Sequence, residues 1–102
     1  MGTYEIDVTK NIMKIDIMKS NILSSISEIF KLMSKGINVD LNEIAGEEIA
    51  NIIVNAYMLG RRMGIDYGEI DAKIAGTLGD EGSNDNSFIG EDIRSLEGYL
   101  KG

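Results

Sequence analysis

The chain has 102 residues, enough for one domain with a modest core, and 26% of them are charged. It contains no cysteine and no histidine. That excludes disulfides, thiolate metal sites, a cysteine nucleophile and the commonest general base, and leaves hard cations on carboxylates as the metal chemistry open to it. The formal net charge of −7 speaks first to solubility, and it argues against nucleic acid or an anionic membrane as the main partner.

The N-terminus, Met1 to Asp7, has no basic region followed by an apolar stretch, so no signal peptide is expected. No apolar run reaches the length of about 18 residues that a membrane helix needs, and the expected location is the cytoplasm. Proline is absent, so glycine punctuates the helices. The first helical region is predicted from about Thr9 to Lys35. Ile12, Ile15, Met18, Ile22, Ile26, Ile29, Phe30 and Met33 recur there at three- and four-residue steps, as one buried face requires. Ser20-Asn21 and Ser24-Ser25 are poor mid-helix residues, and a break near Ser20 is expected. Gly36 follows as a C-terminal cap.

Asp40-Leu41-Asn42-Glu43 has capping-box spacing and opens a second helix, predicted to run to about Met63 and to be closed by Gly64. Asp66-Tyr67-Gly68-Glu69 repeats the capping-box spacing and opens a shorter helix carrying Ile70, Ile74 and Leu78. Gly79 to Asn86 is acidic and rich in Gly, Ser and Asn, so a mobile acidic loop is expected over residues 79–90. It resembles a calcium loop only superficially: Asp85 stands where that motif needs Gly, and Gly82 stands at a ligand position. Ile93, Leu96 and Leu100 mark a last short helix, with Glu91 and Asp92 at its positive end and Lys101 at its negative end. Phosphate-loop, dinucleotide and nucleophile-elbow motifs are all missing.

The segment Glu47 to Met63 is apolar nearly all round, which predicts a central, buried helix. Glu48, Asn51 and Asn55 interrupt it, and Arg62 continues the series. At about 100° per residue these four fall in one stripe. A polar stripe on a buried helix needs partners, either a structural hydrogen-bond network or a ligand in a polar cavity.

The run Glu47-Glu48-Ile49-Ala50-Asn51-Ile52-Ile53, followed by Tyr57-Met58-Leu59-Gly60-Arg61-Arg62-Met63-Gly64-Ile65-Asp66, resembles the third helix of the MazG-like proteins. These belong to the all-α nucleoside triphosphate pyrophosphohydrolase superfamily. Ile22 to Lys31 sits where that family has its second helix, and Asp71-Ala72-Lys73-Ile74 and Leu96-Glu97-Gly98-Tyr99-Leu100 also fit. The resemblance spans roughly Asp7 to Lys101. It implies an all-α, MazG-like bundle of four to five helices. The nearly all-apolar helix in a chain too short to surround it predicts completion by oligomerisation, as a dimer or a dimer of dimers.

Active members hold magnesium on an ExxE pair and an ExxD pair, and the metal activates water against the phosphates. Carried over, the first pair falls on Ser25 and Glu28 and the second on Glu48 and Asn51, so two carboxylates are replaced. The expected function is therefore binding or sequestering of a nucleotide or nucleotide-derived small molecule, without a cofactor and without cleavage. Ser25, Asn51 and Asn55 would bond base, ribose or phosphate. Arg62, Lys31 and Lys35 would pair with phosphate. Tyr57 would stack on a base or pack in the core. Two alternatives stand beside it. One is a magnesium-dependent pyrophosphohydrolase with Glu28 and Glu48 as ligands, completed by Glu47 or by an acid from another subunit. The other is a helical adaptor whose polar stripe sets register.

Overall fold

The computed structural model describes residues 2–35, 39–82 and 89–102. Side chains are described for 8–35, 41–80 and 89–102. The described residues form four helices and no strand: α1 (Gly2–Ser34), α2 (Val39–Arg62), α3 (Tyr67–Gly82) and α4 (Gly90–Lys101). None of these helices is long and apolar enough to cross a membrane. The chain divides into two compact units, residues 1–65 and 66–102.

In the first unit α1 and α2 pack as a hairpin. Asn11 reaches Arg62, Asn21 reaches Asn55, and Asn51 reaches Ser25, so the helices run antiparallel. Asn11, Ile15, Met18, Ile22, Ser25, Ile29 and Leu32 are withdrawn from solvent along α1. Leu41, Ala45, Glu48, Ile52, Asn55, Leu59 and Arg62 are withdrawn along α2. Both sets alternate steps of four and three, the spacing of a coiled-coil seam.

The expected break near Ser20 is absent, and α1 is continuous. Asn21 and Ser25 spend their polar groups on α2 instead of competing for their own backbone. The buried face of α1 is also narrower than predicted. Ile12, Ile26, Phe30 and Met33 lie beside the seam and are exposed, Phe30 at 70%. The segment Glu47 to Met63 is likewise not buried all round. Ile49, Ile53 and Val54 are half exposed, while Asn55, on the polar side, is 2% exposed.

Helix α2 begins at Val39, one residue before the predicted cap, and the Asp40 side chain and Gly36 lie outside the described residues. Its end follows the sequence closely. Gly64 takes φ +91°, a region open to Gly at little cost. Its N–H bonds to the Arg61 carbonyl at 3.1 Å, and the Ile65 N–H bonds to the Gly60 carbonyl at 2.9 Å, which together make a Schellman cap.

In the second unit α3 and α4 pack on each other. Asp66 caps α3: its backbone N–H points to Glu69 Oε1 at 3.5 Å, and its carbonyl accepts from Ile70 N–H at 3.1 Å, the reciprocal half of a capping box. The loop expected from Gly79 starts later, because α3 continues to Gly82. Leu78 is buried and Gly79 closely faces α4, where an added Cβ would lie 3.8 Å from Glu97 Oε2, so packing holds this turn. Residues 83–88 of the expected loop lie outside the described residues. Helix α4 carries Glu91 and Asp92 in its first turn and Lys101 in its last, as charge at a helix dipole favours.

Candidate functional site

The polar stripe of α2 faces α1 and meets a matching row there. Asn21 Nδ2 donates to Asn55 Oδ1 at 3.1 Å. Asn55 Nδ2 donates to Asn51 Oδ1 at 3.1 Å and to the Asn51 carbonyl at 2.8 Å. Asn51 Nδ2 donates to Ser25 Oγ at 2.8 Å. The four side chains form one directed ladder, Asn21 to Asn55 to Asn51 to Ser25, along one side of the seam. Ser25 and Asn55 are each 2% exposed, while Asn21 and Asn51 reach solvent. Among the described residues, no buried side-chain nitrogen or oxygen lacks a hydrogen-bond partner.

This is the arrangement that a buried polar stripe requires, because each unpaired group would cost about 1–3 kcal/mol. Ser25, Asn51 and Asn55, expected as ligand-binding residues, are brought together and bond to one another. Their partner Asn21 was missed. It lies four residues before Ser25, one turn along the same face, and residue-by-residue propensity reads it only as a weak helix former.

The ladder pairs residue i with residue 76 − i, since Asn21 meets Asn55 and Ser25 meets Asn51. The same register brings Glu28 level with Glu48. Both are half-buried, and Glu28 Oε1 accepts from Lys31 Nζ at 3.2 Å. Glu47 is exposed and sits about 100° round the helix from Glu48. The donors available to magnesium are thus two carboxylates, one already in an ion pair, with a hydroxyl and an amide already bonded to each other. Among the described residues, no group of three or more acidic side chains could hold a metal. Magnesium favours near-octahedral oxygen coordination anchored by charged carboxylates, so this donor set does not fit it.

The expected phosphate ligands are split between the two ends of the hairpin. Arg62 lies at the end of α2 beside Asn11, whose Nδ2 donates to the Arg62 carbonyl at 2.9 Å. Lys31 and Lys35 lie at the other end, about 30 Å further along α1 from Asn11. One phosphate cannot meet both sets. Tyr57 is half-buried, and two residues beyond Asn55 it points about 200° round α2 from the ladder, so it does not share that face. Arg61 is exposed.

A depression lies at the Arg62 end. It is lined by Val8, Lys10, Asn11, Ile12, Lys14 and Arg62. The lysines there were not picked out from the sequence. Their i, i+4 spacing was a signal, but recognising the depression requires knowing that α2 ends beside them.

A family model described as the MazG-like family matches residues 8–96. No curated protein and no solved structure matches the chain.

Proposed function

The chain belongs to the MazG-like family, and from that premise we propose that it is a non-catalytic member that binds a nucleotide or nucleotide-derived small molecule without cleaving it. The observation that carries this reading is the 2.8 Å bond from Asn51 to Ser25. These are the two positions where active members place carboxylates, and here neutral side chains satisfy each other across the seam. The polar groups left facing solvent at Asn21 and Asn51 are hydrogen-bonding groups suited to a base or ribose. Neither supplies the charge needed to gather a metal. Magnesium-activated water has no support from this donor set, and the chain contains no histidine, the commonest general base.

Self-association belongs to the same reading. Leu32 is the only apolar side chain of the hairpin classed as buried among the described residues, too little core for a two-helix unit to stand on its own. Ile12, Ile26 and Phe30 on α1 and Ile49 and Ile53 on α2 are exposed, on the flank opposite the ladder. A dimer or dimer of dimers would cover them.

The adaptor reading has one specific observation in its favour: the buried members of the ladder, Ser25 and Asn55, are satisfied without a ligand. Thermal melts of the full chain against a panel of nucleosides and nucleotides separate the two. The binding reading expects a concentration-dependent rise in melting temperature with at least one member, of the size mass action gives, about 2.7 kcal/mol at one hundred times Kd. A flat response across the panel would favour the adaptor.

A further inference from the structure

The net charge of −7 is unevenly distributed along the chain. Residues 66–102 carry nine acidic and three basic side chains, whereas residues 1–65 carry eight acidic and seven basic. The hairpin is close to neutral, and apart from Lys19, which pairs with Asp16 at 3.3 Å in the middle of α1, its cations lie towards its ends. At one end, Lys31 is already paired with Glu28. At the other, Lys10, Lys14 and Arg62 line one depression together with Asn11. Among the described residues, no acidic side chain pairs with any of these three.

Lys10 and Lys14 are one turn apart on the same face of α1. The bond from Asn11 Nδ2 to the Arg62 carbonyl fixes the end of α2 against them at 2.9 Å. It also occupies one of the carbonyls that would otherwise turn the negative end of α2 towards a bound anion.

We propose that this depression is an anion site that takes the phosphate or pyrophosphate end of a small ligand. It rests on the ligand-binding reading above and deepens it by placing the charged end of the ligand. The site is about 20 Å along α1 from Ser25 and the positions of the family's metal pairs, so it needs no metal and no carboxylate. Arg62 supplies a planar fork matched to phosphate oxygens, and the two lysines supply mobile point charges. Asn11 sets the distance between them.

The test is calorimetric titration of the full chain with inorganic pyrophosphate at low ionic strength, without divalent cations. The parent protein binds saturably, and Lys14→Glu weakens binding by at least about tenfold. Lys73→Glu makes the same charge change on α3 and alters binding less than about twofold. Both lysines are exposed, and unchanged melting temperatures confirm folding. No pyrophosphate binding, or equal losses in the two variants, overturns the site. Parallel titrations with adenosine diphosphate and adenosine separate this proposal from the one it rests on. Diphosphate binding insensitive to Lys14→Glu overturns the anion site and leaves ligand binding intact. Pyrophosphate binding lost in Lys14→Glu, with no nucleotide or nucleoside bound anywhere, supports the anion site and retires the nucleotide reading.

Discussion

Asn51 joins Ser25 to Asn55, and its amide is used on both sides: Nδ2 donates to Ser25 at 2.8 Å, and Oδ1 accepts from Asn55 at 3.1 Å. Asn51→Leu therefore leaves the nearly buried Ser25 hydroxyl without its donor, and stability should fall by about 1 kcal/mol. Adding Ser25→Ala removes the stranded group and should recover most of that loss. Chemical denaturation of the two single variants and the double variant measures the coupling, and strictly additive losses would contradict the ladder. Restoring the family's carboxylates tests the same positions from the other side. Ser25→Glu with Asn51→Asp places charge where Ser25 is 2% exposed, so the variant should melt lower than the parent without metal. Magnesium should then raise its melting temperature and leave the parent's unchanged. An identical response in both proteins would contradict the placement of the lost pairs. The Asn51–Asn55 half of the ladder was legible because its spacing is a helix property. Asn21 was not, because its value lies in a partner 34 residues away.

Helix ends were the most legible elements, since caps are written in local sequence. Gly64 stops α2 at φ +91° and Asp66 starts α3 two residues later. Gly64→Ala should cost about 1 kcal/mol, the strain of a Cβ in the left-handed region, although nothing lies within 4 Å of the added atom. Thermal melts check this, and an unchanged melting temperature would mean that the cap does not hold α2. Helix continuity was less legible. Ser20-Asn21 and Ser24-Ser25 suggested a break because propensity scores each residue alone. A seam of seven positions on each helix outweighs several unfavourable tenths of a kcal/mol. The same override carries α3 past Gly79 to Gly82, where Leu78 is buried and Glu97 comes close.

Over the whole chain, the all-α class and the family were legible because apolar periodicity and motif order extend along most of its length. Which side of each helix turns inward was not. Apolar residues line a wider arc than one partner helix can cover, and the seam took the polar edge of that arc and left Phe30 at 70% exposure and Ile53 at 52%. Light scattering at micromolar concentration should therefore give the mass of two or four chains, and Ile53→Asp should shift it towards one. A monomer mass for the parent chain would contradict the self-association reading. The central claim, binding without cleavage, is tested most directly by magnesium-dependent phosphate release from a panel of nucleoside triphosphates. With a hydroxyl and an amide bonded to each other where two carboxylates are needed, the expected result is no release above the protein-free rate. Turnover near about 1 per second, an ordinary enzymatic rate, abolished by Glu48→Gln, would contradict it.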